Sequence, residues 1–585
     1  MKSPRELIDL CVKEAVLSLA PQVSLPLTLV RPCQEAKHGD FQSNAAMLFA
    51  KSLGVNPRAF AEQIVEKLGE TDLYFKAEIA GPGFINFKVK PEICARQIAE
   101  RLTDPRLGVD TIANPQTIVF DFSGPNIAKE MHVGHIRSTI LGESLSRVFR
   151  FIGHTIITDN HLGDWGTQFG MVILGYKRGG NEELLRTDPF GHLETLYKSV
   201  QEETKVNEAT IQAARHELLK LQQGDPENRG LWQKFIDLSL CAIDAIYARL
   251  DVKFDYTLGE SSYNDALEGV VELLKQKGIA QASEGAVVVF SDKTVPPKED
   301  PFLVSEKEGG FRDNPFIIQK SDGAFLYGTT DLATVQFRVE KWKADRAVYV
   351  TDSRQQMHFN QLFATVKRWG QPIQLDHVWF GTILGEDKTP LKSREGKPIK
   401  LRALLDEAES RALAIISEKH PDWEESKRQK IAKIVGIGAL KYADLCQNRN
   451  LDYMFQWEKL LAFDGNTAPY LQNAYVRIRS IFRRNNFTVP TNPQVTLNEP
   501  SEFNLAKKLL EFRDAIEIVS VEYRPHFLCV YLFELATTFH KFYENCPVRD
   551  AEPELQASRL VLCEFTAKTL AQGLHLLGIE TLEEM

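Results

Sequence analysis

One segment, residues 117 to 153, constrains the fold more than any other part of this sequence. Residues 117 to 120 form a short β-branched and aromatic run that ends before Ser123-Gly124-Pro125, which predicts a buried strand. After a polar loop, apolar residues recur every three or four positions from 136 to 152 and stop at Gly153, which predicts a helix. A buried strand followed by a loop and a helix is typical of α/β domains.

The predicted helix begins with two histidines, His132 and His135, which lie on one face because they are three residues apart. Gly134 stands between them and Lys129 precedes them. Unpaired N–H groups and the positive end of the helix dipole favour a phosphate at such a position. Random placement of 13 His and 36 Gly in 585 residues would give His-x-Gly-His only about 0.02 times per chain. We therefore predict a nucleotide site, with a reaction at the α-phosphate.

His132-Val133-Gly134-His135 resembles the His-Ile-Gly-His signature of class I aminoacyl-tRNA synthetases and related nucleotidyltransferases. Residues 125 to 139 and 160 to 170 resemble the arginyl-tRNA synthetases in particular, and the similarity covers nearly the whole chain. The resemblance implies a ligase that uses ATP, with Mg²⁺ bound to the ATP and no dedicated protein metal site. Its partners would be L-arginine and tRNA(Arg), and bound tRNA would be needed for activation of arginine.

The length of the chain predicts several domains, since a single core rarely exceeds about 250–300 residues. We expect a multidomain α/β protein with a small N-terminal α+β domain (1–100) and a doubly wound, Rossmann-like parallel-sheet catalytic domain (115–455). The catalytic domain would contain an insertion (175–313), which by resemblance to the family would guide the acceptor end of the RNA. An all-α bundle (456–585) would follow, and within the first domain residues 85 to 89 alternate as in an exposed edge strand.

Strand-like runs in the central region predict the sheet and its binding crevice. They lie at 117–122, 155–158, 324–327, 347–351 and 378–382. Ligands of parallel sheets bind beyond the carboxyl ends of the strands, and polar residues follow most of these runs. We therefore expect five strand ends to meet at one polar crevice.

A guanidinium substrate offers five donors and no acceptor, so its site needs carboxylate or carbonyl oxygens. Candidate acceptors at the predicted crevice are Asp121, Tyr327, Asp331 and Gln355. The resemblance adds Ser123, Asn126, His135 and His161 to the arginine site. An alternative for Asp331 is that it caps a helix beginning at Leu332.

The resemblance assigns ATP binding to Lys129, His132, Gly134, His135, His358, Gly381 and Leu384. Class I synthetases usually carry a second signature, Lys-Met-Ser-Lys-Ser, and the corresponding stretch here, residues 390 to 396, is degenerate. Lys392 and Arg394 are its candidate catalytic groups, and Lys129 would supply part of the missing charge. A basic, glycine-containing loop is equally typical of an inert surface turn.

A net charge of −9 argues against broad, sequence-independent binding of nucleic acid, and no DNA partner is expected. Basic clusters at 427–430 and 477–484 are candidates for local RNA contact, with a solvated helix face as the alternative. By resemblance the N-terminal domain touches the tRNA elbow and the helical bundle reads the anticodon. Phe41, Asn44, Tyr470 and Arg477 are the candidate contacts, although aromatic residues at such positions more often pack in a core.

Eight scattered cysteines, with no pair at metal-ligand spacing, indicate neither a zinc site nor a disulfide framework. No apolar run approaches membrane-spanning length, so we expect a cytoplasmic protein without a membrane partner. We also expect a monomer. Two other functions stay open at this point. They are a small-molecule nucleotidyltransferase with the same histidine signature and a catalytically silent RNA-binding paralogue.

Overall fold

The computed structural model describes residues 2–26, 28–33, 35–307, 309–392, 399–491 and 494–585. The N-terminal part is a small α+β unit with an antiparallel sheet of order β1-β2-β4-β3. Its elements are α1 (Pro4–Leu19), β1 (Val30–Pro32), β2 (Phe41–Ser43), α2 (Ala45–Leu53), α3 (Pro57–Leu68), β3 (Glu78–Ala80), β4 (Phe84–Phe87) and α4 (Pro91–Leu102). The prediction of an exposed edge strand at 85–89 is wrong, because β4 lies between two neighbours and Ile85 and Phe87 are fully buried.

Local sequence fixes the ends of the first helices. Ser3 and Glu6 form a reciprocal capping box at the start of α1, with Pro4 in the first turn. The side chain of Asn56 caps α3 by accepting from the N–H groups of Arg58 and Ala59. Side-chain oxygens at these positions satisfy donors that a helix leaves unpaired, and proline fits the first turn.

The central part is a parallel sheet covered by helices. Its first half comprises β5 (Thr117–Phe122), α5 (Val133–Phe151), β6 (Thr155–Leu162), α6 (Thr167–Gly179), α7 (Glu182–Thr187), α8 (Pro189–Thr204), α9 (Glu208–Gln223), α10 (Pro226–Arg249), β7 (Tyr256–Gly259), α11 (Asn264–Gln276), β8 (Gln281–Ser283), β9 (Ala286–Val289), β10 (Leu303–Ser305), β11 (Phe311–Asp313) and β12 (Phe316–Gln319). Its second half comprises α12 (Tyr327–Glu340), β13 (Arg346–Val350), α13 (Gln356–Trp369), β14 (Gln374–His377), β15 (Ile383–Leu384), α14 (Leu401–Lys419), α15 (Glu425–Leu445), β16 (Tyr453–Met454) and α16 (Trp457–Leu460). The main sheet has the order β14-β13-β5-β6-β7, and all its pairs are parallel.

Both faces of this sheet are buried, as the sequence predicted. Along β5, Phe120 and Phe122 join one hydrophobic core together with Leu141 and Leu145 of α5. Val119, which points to the opposite face, joins a second core built with α11, α12 and α13. Alternate side chains of a strand point to opposite faces, so the doubly covered parallel sheet is confirmed.

Two of the five predicted strands are wrong in position. Residues 324–327 are not a strand, because Tyr327 opens α12 and Phe325 makes only an isolated bridge with Gln319. The run at 378–382 follows β14 instead of forming it. The fifth strand is β7, which is short and largely exposed and lies within the range predicted as an insertion. Five strand ends do meet at one crevice, but β7 replaces the predicted run at 324–327.

The C-terminal part is helical, which confirms the predicted all-α unit. Its helices are α17 (Ala468–Asn485), α18 (Pro500–Leu510), α19 (Phe512–Glu522), α20 (His526–Asn545) and α21 (Pro553–Leu576). Polar contacts join it to the N-terminal unit: Arg5 Nε lies 2.8 Å from Asp514 Oδ2, and buried Arg101 donates from Nη1 to the carbonyl of Leu510 at 3.2 Å. Among the helices described, none is long and apolar enough to cross a membrane.

Candidate active site

A polar cleft of about 500 Å³ lies at the carboxyl ends of the five parallel strands. Each strand brings a lining residue at or just after its end, for example Asp121 from β5 and His161 from β6. The predicted site residues that line it are Asp121, Ser123, Asn126, His132, Gly134, His135, His161, Tyr327, Asp331, Gln355 and His358. The structure therefore brings together residues that are up to 237 positions apart in the chain.

The two histidines of the signature form a reciprocal cap at the start of α5. The N–H of Gly134 donates to Nδ1 of His132 at 3.0 Å, and the N–H of His132 donates to Nδ1 of His135 at 3.1 Å. A neutral imidazole that accepts at Nδ1 carries its proton on Nε2. A β-carbon at Gly134 would lie 2.8 Å from Cε1 of His132, so glycine is needed here for the cap itself.

Both imidazoles are neutral at physiological pH. Burial and the neighbouring His132 together lower the pKa of His135 to about 4. The pKa of His132 is also lowered, first by burial and then by the positive charge of Arg354. Burial disfavours the charged form of an imidazole. The pair therefore offers Nε2–H donors at a helix N-terminus without adding full positive charges.

The loop between β5 and α5 is held in an unusual backbone conformation. Ser123 and Ala128 have φ values of 71° and 63°, in the left-handed region that non-glycine residues rarely adopt. The Ser123 hydroxyl lies 2.8 Å from the Tyr247 hydroxyl and accepts from Thr139 Oγ1 at 2.9 Å. Ser123 lines the cleft as predicted, but its hydroxyl is committed to these two buried partners.

A second group of side chains forms an acidic region of the cleft. Nε2 of His358 lies 2.5 Å from Oδ2 of Asp331, and the ring of Tyr327 packs edge-on against His358 at 4.7 Å between centroids. Tyr327 itself is 61% exposed. Asp331 lies in the second turn of α12, so the alternative that it caps this helix is wrong.

Asp121 is part of a buried ion cluster beneath the cleft. Nη2 of Arg338 lies 2.5 Å from Asp121 Oδ2 and 2.7 Å from Asp159 Oδ2, and the guanidinium sits over the ring of Tyr349. Arg338 is fully buried. Burial raises the pKa of Asp159, whereas the charge of Arg338 lowers it. One oxygen of Asp121 is thus occupied by a residue of the protein, which leaves it a poorer acceptor for a substrate than we expected.

Two cleft residues were missed by the sequence reasoning. Glu260 follows β7, and burial, with the nearby charges of Asp331 and Asp164, raises its pKa to about 7 despite the opposing effect of His161. Arg354 makes a two-point contact with Asp352 and lines the cleft near His132. Glu260 carried no signal, because its strand was read as part of an insertion. Arg354 stands next to Gln355 and could have been noticed.

Four described residues that we predicted for ATP binding or catalysis do not line the cleft, and their roles stay predictions. Exposed Lys129 holds its amino group 5.4 Å from the ring centroid of Tyr197 in α8. The carbonyl of Gly381 accepts from buried Arg137, and Leu384 pairs with Met454 in the β15–β16 ladder. Lys392 is exposed. The prediction for Arg394 falls outside the described residues.

The residues that follow the degenerate signature lie beside the histidines. The N–H of Val133 donates to the carbonyl of Ile399 at 2.8 Å, and the N–H of Leu401 donates to the carbonyl of Met131 at 2.9 Å. Lys400 pairs with Glu130 at 2.5 Å. The segment after residue 398 is therefore tied to the start of α5.

The residues predicted to contact RNA lie in different environments. Phe41 is 4% exposed in the N-terminal core, so its predicted role in stacking on a base is wrong and the packing alternative holds. Asn44 is exposed and its side chain makes no cap bond. The hydroxyl of half-buried Tyr470 lies 2.9 Å from Nδ1 of His540, and Arg477 lies over the ring of Tyr543.

Among the described residues near the cleft, ligand atoms of Asp121, Asp159 and His161 lie within 4.8 Å of one another. Arg338 is bonded to both carboxylates, so a fixed cation already occupies the side from which a metal would be held. The set therefore does not fit a resident metal ion.

Three family models cover most of the chain. Residues 97–457 match "tRNA synthetases class I (R), catalytic domain", residues 471–585 match "DALR anticodon binding domain", and residues 6–89 match "Arginyl tRNA synthetase N terminal domain". The arginine–tRNA ligase of Chromobacterium violaceum is 43% identical over 98% of both chains, and that of Proteus mirabilis is 44% identical over 97% of both.

Solved structures agree with these matches. The arginyl-tRNA synthetase of Plasmodium falciparum superposes with a TM-score of 0.84 at 29% identity and covers all of both chains. That of Thermus thermophilus gives a TM-score of 0.81 at 24% identity, over 99% of this chain and all of the other, and supports the fold alone.

Proposed function

The chain belongs to the arginyl-tRNA synthetase family and is an arginine–tRNA ligase, and from that premise we propose how its cleft is divided between ATP and arginine. One observation carries the proposal. Neutral imidazoles at a helix N-terminus and carboxylates suited to a guanidinium line the same cleft. The imidazoles suit a triphosphate, and the carboxylates suit arginine.

On the ATP side, His132 and His135 would donate from Nε2 to oxygens of the α-phosphate. Negative charge grows on these oxygens as the phosphorus becomes five-coordinate, and fixed donors stabilise that charge without reorganising. Arg354 would add a full positive charge near the phosphates. Mg²⁺ would enter with the ATP, since the carboxylates beneath the cleft are held by Arg338.

On the arginine side, Asp331 and Glu260 would accept from the guanidinium, with Tyr327 and Gln355 at the mouth of the cleft. Asp121 would act mainly by neutralising Arg338 and supporting the floor of the site. Asn126 and His161 are assigned to the amino acid end of the substrate. Such an acceptor-lined pocket rejects analogues that lack the guanidinium, because its carboxylates would then be left unpaired.

The reaction needs no side-chain nucleophile. An oxygen of arginine's carboxylate attacks the α-phosphorus, and the bond to the bridging oxygen of pyrophosphate breaks, which gives arginyl-adenylate. The terminal ribose hydroxyl of tRNA(Arg) then attacks the activated carbonyl and releases AMP. We assign the N-terminal unit (1–100) to the tRNA elbow, with exposed Asn44 as a contact, and the bundle (456–585) to the anticodon, with Arg477.

ATP–pyrophosphate exchange tests the proposed reaction. We expect exchange that requires arginine and tRNA(Arg) together, because the proposal makes activation depend on bound tRNA. Exchange with arginine alone would remove the tRNA requirement. Exchange without arginine would favour the small-molecule nucleotidyltransferase, and no exchange from folded protein would favour the silent paralogue.

Asp331→Asn is expected to raise the KM for arginine about 10- to 100-fold and to change the KM for ATP less than about twofold. The substitution removes a charge-assisted hydrogen bond to the guanidinium, a contact worth about 1.5–3 kcal/mol. Steady-state kinetics with each substrate varied in turn measure both effects. Asp265→Asn, at an exposed position of α11, is the matched control. Equal losses for the two substrates would contradict the assignment of Asp331.

The KM for arginine is expected to rise about tenfold between pH 8 and pH 6. The pKa of Glu260 is raised to about 7, so its carboxyl holds a proton below that pH, and arginine must displace this proton to bind. Above about pH 8 the carboxylate is almost fully ionised and the effect vanishes. Glu260→Gln should give a high KM that does not vary over this range. If the KM of the variant still rose about tenfold between pH 8 and pH 6, as in the unchanged protein, the role of Glu260 would be refuted.

A further inference from the structure

A second cavity, of about 550 Å³, has five cations among its fourteen lining residues and shares no lining residue with the cleft. Its walls come from α5, α10, α15 and the segment after α21. Its charged lining residues are Arg147, Arg249, Lys430, Lys433 and Lys441, with Asp251 and Glu580 as the acidic members. We call this cavity the basic pocket.

The arginines of the basic pocket are already neutralised, whereas its lysines are not. Arg147 pairs with Glu143 at 2.6 Å and with Asp251 at 2.9 Å, and Arg249 likewise contacts carboxylates of α14. Lys430 and Lys433 are exposed and make no ion pair or hydrogen bond with any residue that the structure describes. The pocket therefore contains unpaired positive charge.

Lys441 adds a buried charge to this unpaired set. It is 3% exposed, and its ammonium donates to the main-chain carbonyls of Leu250 and Gly578, the latter at 2.5 Å. Burial and the nearby charge of Arg147 lower its pKa to about 8, against the opposing effect of Asp251, Glu143 and Glu580. A buried ammonium that makes no direct ion pair is costly, and an anion in the pocket would offset that cost. An ammonium has three donors, so one remains for such a ligand.

We propose that the basic pocket binds a phosphorylated anion, at a site separate from the ATP cleft. Three lysines without carboxylate partners, set in a concave space, suit the multiple charges of a polyphosphate. The volume lies in the range of small-molecule sites, which hold about 300–1,000 Å³. The whole chain carries a net charge of −9, and nearby carboxylates match the pocket cations in number, so the positive charge open to a ligand is that of the three lysines, which make no direct ion pair.

Three elements reach from the basic pocket to the cleft. In α10, Tyr247 binds Ser123 of the cleft, and Arg249 lines the basic pocket two residues later. In α15, Asp444 pairs with buried Arg137 of α5 at 3.0 Å, one turn after Lys441. Helix α5 itself carries His135 at one end and Arg147 about 18 Å further on.

Calorimetry with inorganic tripolyphosphate tests the proposal on the full-length protein. The cleft is first saturated with a non-hydrolysable arginyl-adenylate analogue, so that tripolyphosphate meets only other sites. We expect one bound equivalent, with affinity reduced at least tenfold in the double variant K430E/K433E. The control K341E/K367E reverses two exposed lysines that line neither cavity, and its affinity should match that of the unchanged protein.

A second arm identifies the source of the phosphate. Competition between tRNA and tripolyphosphate, with weaker and less salt-dependent tRNA binding by K430E/K433E, would assign the pocket to the RNA backbone. Unchanged tRNA binding without competition would assign it to a free nucleotide or polyphosphate. No tripolyphosphate binding when the cleft is filled would overturn the proposal, as would equal weakening by both double variants. Thermal unfolding checks that both variants are folded.

Discussion

His135→Gln is expected to lower the turnover number of arginine-dependent ATP–pyrophosphate exchange about 10²- to 10³-fold. Loss of one fixed donor to a developing oxyanion typically has this effect, about 2.7–4 kcal/mol in the transition state. The donor in question is Nε2–H of His135, whose ring is oriented by the N–H of His132. Because the interaction strengthens in the transition state, the KM for ATP should change far less than the turnover number.

Stability measurements separate this effect from damage to the helix. His135 also caps α5, and loss of a cap costs about 0.5–2 kcal/mol of folding free energy. A urea titration should therefore detect at most a shift of that size. His216→Gln, at an exposed position of α9, serves as the control and should retain full activity. A decrease of less than tenfold in the turnover number would contradict the role of His135 in the transition state.

Arg338→Met is expected to lower the free energy of unfolding by about 3–5 kcal/mol. The substitution leaves the carboxylates of Asp121 and Asp159 buried close together without their shared cation. Breaking a buried ion pair by removing one partner is strongly destabilising for this reason. Adding Asp159→Asn to the variant should recover part of the loss, since one of the two uncompensated charges is then removed.

Equilibrium urea unfolding measures this effect, and a surface pair provides the matched control. Arg346 lies 2.9 Å from Asp376 in the same sheet, but both side chains are more than 20% exposed. Arg346→Met should therefore cost less than about 1 kcal/mol. Similar losses for the two variants would mean that the Arg338 cluster contributes no more than an ordinary surface pair.

Local patterns predicted the parts of the fold that depend on neighbours in the chain. The helix after His132 follows from apolar spacing that stops at Gly153. The buried strand at 117–122 follows from its apolar run. These patterns depend only on residues that are close in the sequence, so distant contacts do not change the helix or strand that they predict.

The predictions that failed concern residues whose state is set by distant partners. The apolar residues before Tyr327 look like a strand, but they lead into a helix that packs on the sheet. Strand β7 is short and exposed, and it is a strand only because β6 lies beside it. Glu260 follows β7 and was missed for that reason, and the pairing of Asp121 with Arg338 spans 217 residues.

The contacts of Arg5 and Arg101 with the C-terminal bundle have a mechanical consequence. The N-terminal and C-terminal units contact each other directly, through a salt bridge to Asp514 and a buried hydrogen bond to the Leu510 carbonyl. A swing of the bundle would pull the N-terminal unit along with it. We therefore expect the two units to move together as one body.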